Sequence, residues 1–197
     1  MGGGVRGRRA GTTELDSCAN MVVIGAQGTI IQKTGRYADL NAFSSDVGTL
    51  SRVPIVDAAV AYDCPFSGQT ILMVARNALH VDSMGHNLVP PFIMRKAGLE
   101  VDERAKIHTP QPSKEQHSVY CREIDLRIPL KIEGIVLVFE TRRLNATVIA
   151  ESGEYDIVFI SPDADSWNPN CETWGDQEDM MLDQDGDIIQ YEAKKPV

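Results

Sequence analysis

Two apolar stretches separated by a turn-forming segment constrain the fold of this 197-residue chain most strongly. The stretches are VPIVDAAVAY at 53–62 and QTILMVA at 69–75, both rich in β-branched and aliphatic residues. The segment between them, DCPFSG, contains Pro and Ser-Gly, which favour turns. This pattern predicts an antiparallel β-hairpin with a loop of several residues.

The chain up to about residue 161 repeats the pattern with shorter strand-like runs and a single helix signal. Pro90-Pro91 suits a helix start and Gly98 a helix end, which predicts one short helix at roughly 91–97. The other apolar runs predict strands: MVVI at 21–24, TIIQK at 29–33, a strand near 99–101, SVYC at 118–121, IDLRIPLKI at 124–132, GIVLVFETR at 134–142 and YDIVFIS at 155–161. An all-β fold with one short helix follows.

Composition divides the chain into five parts. Residues 1–13 are rich in Gly and Arg and predict a disordered basic leader. Residues 105–118 are polar, contain two prolines and predict a linker between a main β domain at 14–104 and a β-rich C-terminal extension at 119–162. Residues 163–197 form an acidic tail.

The charge is concentrated near the C-terminus. The formal net charge is −9, and residues 151–197 alone carry 13 acidic residues against two lysines. With no broad basic face, the chain is a poor match for duplex nucleic acid. An RNA-binding role for Arg6, Arg8 and Arg9 is the weakest alternative, and it would need salt-sensitive binding that the leader carries.

Several other classes of protein are disfavoured. No apolar run approaches the roughly 18 residues of a membrane span, and MGGGVRGRRAG lacks the apolar segment of a secretory signal. The four cysteines lie far apart without a CxxC pair, so neither a zinc site nor a disulfide framework is expected. We expect an intracellular, cytoplasmic protein without a membrane partner, metal or organic cofactor.

A carboxylate motif lies shortly before the first predicted strand, MVVI at 21–24. Leu15-Asp16-Ser17-Cys18-Ala19 resembles the hydrophobic-Asp-Ser/Thr-Gly-Ala signature of retropepsin-like aspartic proteases. The order of the segments that follow is similar to that in the protease region of Copia-type retrotransposon polyproteins. After the motif come a hairpin, the segment Asn87-Leu88-Val89, a short helix and Lys96-Ala97-Gly98.

The resemblance implies a fold, a partner and a reaction. The fold would be a retropepsin-like closed β-barrel. The family's reaction needs two facing carboxylates that share one proton, so a single motif per chain implies a homodimer. The resemblance also implies that the substrate is a polyprotein. Asp16 would activate water and Ser17 would orient the carboxylate. The substrate would contact Cys18, Ala19 and a hairpin at 62–70 with Phe66, Ser67 and Gly68 at its tip.

Departures from the signature leave other functions open. Cys18 replaces the usual glycine, where a side chain can crowd the carboxylates, and Asn20 replaces a frequent acidic residue. The alternative is therefore an inactive remnant that serves as a dimerisation or peptide-binding module. A Cys18 thiol acting with His86 is a further reading, less favoured than a small packed residue. The segment at 181–192 resembles a calcium loop, but it begins with Met181, so no metal site is predicted.

Overall fold

A computed structural model describes residues 11–41, 48–162 and 173–189 of the chain. The predicted leader thus lies outside the described residues up to residue 10, and the predicted acidic tail is described only at 173–189. The chain divides into two compact units, Met1–Trp167 and Asn168–Val197. The strands of the first unit are β1 Thr12–Leu15, β2 Val23–Ile24, β3 Thr29–Asn41, β4 Thr49–Asp63, β5 Thr70–His80, β6 Asn87–Val89, β7 Glu100–Asp102, β8 Ser118–Cys121, β9 Leu126–Pro129, β10 Lys131–Glu133, β11 Val136–Glu140 and β12 Ile157–Phe159.

The helices are few and short. Helix α1 is Pro91–Lys96 and α2 is Ala146–Ala150, and among the described residues 3-10 turns lie at Lys106–His108 and Ser152–Glu154. Pro91 suits the first turn of α1, since its missing N–H would have no partner in the helix. In α2 the Asn145 side chain accepts a hydrogen bond from the N–H of Val148. The first unit is therefore an almost all-β structure, as the sequence predicts.

The β3–β4–β5 meander forms the largest part of the main sheet. The predicted hairpin is confirmed, since β4 and β5 pair antiparallel from Asp63↔Thr70 to Ile55↔Leu79. Both faces of β4 are buried near its end, where Ala58, Ala59 and Val60 are at most 2% exposed. Strand β3 is much longer than the predicted TIIQK segment, and its outer half with the start of β4 is largely exposed.

The main sheet is open, so the expected closed β-barrel is wrong. Its ladder runs in the order β10-β11-β1-β6-β2-β5-β4-β3, with β12 also paired to β5. The two end strands, β10 and β3, share no ladder in the described chain. An isolated bridge joins Arg142, beyond the end of β11, to Ala61 of β4 through hydrogen bonds of 2.8 and 2.9 Å. A two-residue bridge of this kind does not make a strand ladder.

Strands from the C-terminal extension belong to this main sheet. Strand β11 pairs antiparallel with β1, and β12 pairs parallel with β5. Val158 and Ile160 are at most 3% exposed and lie in the main apolar core with residues of β4 and β5. The sheet therefore needs the chain as far as β12.

The segment expected as a linker leads into a second, three-stranded sheet in the order β7-β8-β9. His117, at the end of this segment, is 5% exposed, and its carbonyl oxygen accepts a hydrogen bond from the N–H of Leu130. Val119 and Ile128, from β8 and β9, contribute to the main core.

The second unit contains helix α3, Thr173–Asp179. A turn follows, in which the Asp183 carboxylate accepts hydrogen bonds from the N–H groups of Asp185 and Asp187. An isolated bridge then pairs Leu182 with Ile188. Within the described ranges of the chain, no helix combines the length and apolar character needed to cross a membrane.

Candidate functional site

Asp16 lies directly after β1, where this strand runs beside β6. The two strands are parallel, with Glu14 opposite Leu88 and Leu15 opposite Val89. The Asp16 N–H extends the ladder by donating to the Val89 carbonyl oxygen at 3.2 Å. The residue that the motif singles out is thus fixed at the end of a strand whose partner leads straight into α1.

The Asp16 carboxylate is held by its own turn. Its Oδ1 atom accepts a hydrogen bond of 2.9 Å from the Cys18 N–H, and its carbonyl oxygen accepts one of 3.3 Å from the Ala19 N–H. Asp16 is half-buried, whereas Ser17 and Cys18 are exposed. The Cys18 side chain therefore leaves this backbone contact to the carboxylate intact.

Ser17 lies next to Asp16 without a hydrogen bond to it. Within residues 11–41 and the other described ranges, no side-chain hydrogen bond joins the Ser17 hydroxyl to the carboxylate. The resemblance implies an orienting role for Ser17, but in the single chain the backbone N–H of Cys18 orients Asp16.

The face of the sheet that bears Asp16 also bears a second acid and a histidine. Side chains alternate along a strand, so Glu14 and Asp16 project from the same face of β1. Leu88, opposite Glu14, shares that face, and so does Val23, which is opposite Leu88. His86, two residues before Leu88, places its Nε2 atom 3.9 Å from Glu14 Oε2.

A second apolar cluster occupies this face beside the carboxylates. Its buried residues are Val23, Val53, Leu79 and Val81, and its half-buried ones include Met21, Ala38, Leu40 and Leu88. Ala38, Leu40 and Val53 come from the outer part of the β3–β4 hairpin. This hairpin therefore contributes apolar side chains to the same cluster as Val23 of β2 and Leu88 of β6.

The predicted hairpin tip occupies a different place. Phe66 and Ser67 line a cavity of about 270 Å³ together with Ile124, Leu126, Arg127 and Asp156. Gly68 has a positive φ of 72° and closes the turn by donating its N–H to the Cys64 carbonyl oxygen. The contacts among the described residues bring Asp16, Cys18 and Ala19 together, and place Phe66 and Ser67 with the residues of the β8–β9 turn.

Cys64 begins this turn as a buried thiol. Burial raises its pKa, but hydrogen bonds from the Ser67 hydroxyl and from the N–H groups of Ser67 and Phe66 outweigh it, so the pKa lies below the usual value. Three donors around one sulfur stabilise the thiolate.

A buried polar network fixes the strands beneath the Asp16 turn. Asn87 is fully buried, and its amide oxygen accepts a hydrogen bond of 3.0 Å from the Gly25 N–H. Its amide nitrogen donates to Thr13 Oγ1 at 3.1 Å and lies 3.5 Å from Thr141 Oγ1. The two threonine hydroxyls are 2.8 Å apart. Side chains from β1, β6 and the end of β11 therefore share one network.

An ion pair joins the far ends of β4 and β11. Arg142 donates to both oxygens of Asp63, at 2.6 and 2.8 Å, and the Thr70 hydroxyl donates to the same carboxylate at 2.7 Å. These hydrogen bonds, the Arg142 one above all, hold the pKa of Asp63 below its usual value. Both side chains line a cavity of about 420 Å³ with Gln27 and Glu140. The arrangement clamps the sheet where no ladder closes it.

Comparison with known protein families, curated proteins and solved structures finds no match to this chain. Over the described residues, no group of three His, Cys, Asp or Glu side chains is arranged to hold a metal ion. Sequence reasoning missed Glu14 and the β3–β4 hairpin as parts of the Asp16 face. No strand was predicted before Asp16; with β1 in place, alternation along the strand puts Glu14 on the face of Asp16.

Proposed function

We propose that the chain is an aspartic endopeptidase of the retropepsin-like type that works as a homodimer and processes a Copia-type polyprotein. The observation that carries the proposal is the Asp16 carboxylate, fixed by the Cys18 N–H at the end of β1 and beside β6. The order of elements after the motif also supports it. A long hairpin, the Asn87–Val89 strand and a short helix follow in the sequence that the resemblance implies.

The chemistry needs two copies of Asp16. Carboxylates that face each other at close range cannot both ionise, so the pair holds one proton. The ionised member takes a proton from the attacking water, while the protonated member polarises the scissile carbonyl. Cys18 and Ala19 then border the bound peptide. An extended peptide would pair with strand-like backbone groups near the site.

The β3–β4 hairpin is better supported as the element over the substrate than the turn at 64–69. Its outer half contributes Ala38 and Leu40 to the apolar cluster beside the Asp16 face. The exposed Phe66 lies against the β8–β9 turn instead. We therefore assign peptide contacts to the β3–β4 hairpin first, and to Phe66, Ser67 and Gly68 only where a substrate extends that far.

Cleavage of unstructured peptides between about pH 4 and pH 7, where a carboxylate dyad is half-protonated, tests the proposal. The Asp16→Asn variant should lose about 10³-fold or more in kcat, because an amide cannot act as the base. The matched control is Asp82→Asn, which changes an exposed turn aspartate. Equal cleavage by both variants would overturn the role of Asp16.

A non-catalytic dimerisation or peptide-binding module is the second candidate. The observation that favours it is Cys18 in place of the usual glycine, exposed on the turn that would face the partner. A folded dimer that binds peptides without cleaving them would establish this function. Cleavage that depends on Asp16 would exclude it.

A further inference from the structure

We propose that His117 is an acid-sensitive latch: its neutral imidazole keeps the three-stranded β7-β8-β9 sheet closed, and protonation of the imidazole opens this sheet. The inference goes beyond the proposed function and uses none of the Asp16 chemistry. His117 directly precedes β8, and its carbonyl oxygen accepts a hydrogen bond of 2.9 Å from the N–H of Leu130, directly after β9. This bond continues the β8–β9 ladder, in which Ser118 lies opposite Pro129.

The imidazole is enclosed by the protein and already lacks one hydrogen bond. His117 is 5% exposed, and within the described chain its Nε2 atom has no hydrogen-bond partner. In a neutral imidazole one ring nitrogen donates and the other accepts, whereas both nitrogens of an imidazolium donate. Protonation therefore adds a second N–H and a positive charge to a buried side chain with an unpaired nitrogen, which is costly.

Charged groups on two other elements act on the ring. Lys106 belongs to the 3-10 turn Lys106–His108, and Asp102 belongs to β7. Burial in the first place, and the Lys106 ammonium in the second, hold the pKa of His117 below its usual value, and the Asp102 carboxylate opposes them only in part. The other charged residues of these strands and turns are paired elsewhere or exposed: Glu100 with Arg122, Glu103 with Arg95, Arg127 with the Ser118 hydroxyl, and Arg104, His108, Lys114 and Glu115 at the surface.

The backbone of His117 has an uncommon conformation that depends on the enclosed ring. Its φ of 55° lies in the left-handed region, which few residues other than glycine adopt. Such a conformation persists only where the surrounding structure holds it. Protonation favours a hydrated ring, so it removes the packing that holds this backbone and releases the start of β8 together with the bond to Leu130.

Acid shifts the equilibrium toward the open sheet. In the open sheet the hydrated ring has the ordinary histidine pKa of about 6.5. In the closed sheet the pKa of His117 is lower. The stability of the closed sheet is therefore fully present above about pH 6.5 and falls as the pH drops toward the lower pKa, by up to about tenfold in the opening equilibrium constant for each pH unit.

Hydrogen exchange of backbone amides at about pH 7.5 and about pH 5.5, corrected for the pH dependence of the chemical exchange rate, tests the inference. The protection of the Leu130 N–H should fall by about threefold to tenfold at the lower pH. In His117→Asn it should stay constant, because asparagine carries no charge and tolerates a positive φ. The matched control, His108→Asn, changes an exposed histidine and should behave as the wild type does.

A second variant decides the matter where His117→Asn does not fold. Lys106 is exposed, and its replacement in Lys106→Gln removes the cation that lowers the pKa of His117. The acid-induced loss of protection at Leu130 should then be smaller than in the wild type. Lys114→Gln, which changes an exposed lysine of the same segment, should leave that loss unchanged.

Three results would overturn the latch. One is a loss of protection at Leu130 that is equal in the wild type and in the variants of His117 and Lys106. Another is a His117 ring that titrates at about pH 6.5 or above when its NMR signals are followed. The third is exchange of Leu130 only together with the β4–β5 hairpin, since the three-stranded sheet would then have no opening of its own.

Discussion

Gly25 lies where the backbone at 84–86 approaches it closely. A Cβ atom built on this residue would lie 2.4 Å from the carbonyl oxygens of both Met84 and His86, and backbone atoms cannot move aside cheaply. We expect Gly25→Ala to lower the free energy of unfolding by about 1–3 kcal/mol, as overpacking does. Urea unfolding of the wild type and of Gly25→Ala measures this change in the free energy of unfolding. In the control, Gly85→Ala, the new methyl group meets no heavy atom within 4 Å, so stability should change by less than about 0.5 kcal/mol.

For single residues, the sequence singled out Asp16 but not the side chains that lie around it. A short motif can mark a carboxylate at a strand end, because the turn that follows is local and Asp16 is tied to Cys18 two residues on. The partners of Asn87 and Glu14 come from distant parts of the chain. Nothing in the local pattern around Asn87 indicates that its amide would bond to Gly25, Thr13 and Thr141.

The clamp between β4 and β11 gives the sheet a pH dependence. The folded-state pKa of Asp63 is lowered by its hydrogen bonds to Arg142 and Thr70, while the unfolded value is about 3.9. The contribution of the ionised Asp63 carboxylate to stability is therefore fully present above about pH 4, and it is lost as the pH falls through the folded-state pKa. The Asp63 side chain is 51% exposed, so we expect its charge to contribute only about 0.5–1 kcal/mol to the free energy of unfolding.

Urea unfolding of wild type and Asp63→Asn at pH 7 and at pH 2.5 measures this contribution. The two proteins should differ by that amount at pH 7 and converge at the lower pH. Asp82→Asn, an exposed aspartate in a turn, should track the wild type throughout. A difference between wild type and Asp63→Asn that stays constant with pH would show that the carboxylate charge plays no part.

Strands and α1 were predicted well because their signals are local. The helix predicted at 91–97 is observed at Pro91–Lys96, and the 53–75 hairpin is observed in its predicted pairing. Helix α2 was missed, since ATVIA contains three β-branched residues that weaken a helical pattern. The length of β3 was missed because Gly35 and alternating polar residues interrupt its apolar pattern.

The order of strands in the main sheet was beyond the reach of sequence patterns. Strand β11 pairs with β1 and β12 with β5, although residues from distant parts of the chain must meet in each case. Periodicity shows which face of a strand is apolar, and it carries no information on which strand lies alongside. The expectation of a closed barrel came from the resemblance. It was wrong, because the sheet runs from β10 to β3 without a ladder between these two end strands.

The division into two units predicts how truncation affects the whole molecule. A chain ending at Trp167 retains every strand of the first unit, so its thermal unfolding should match that of the full-length protein. A chain ending at Tyr155 loses β12 and with it the buried Val158 and Ile160. At about 1.5–3 kcal/mol for each buried side chain, this costs about 3–6 kcal/mol, enough to unfold a domain of ordinary stability. Circular dichroism during heating distinguishes the two chains. Equal destabilisation of both would mean that residues 168–197 are needed for the first unit to fold.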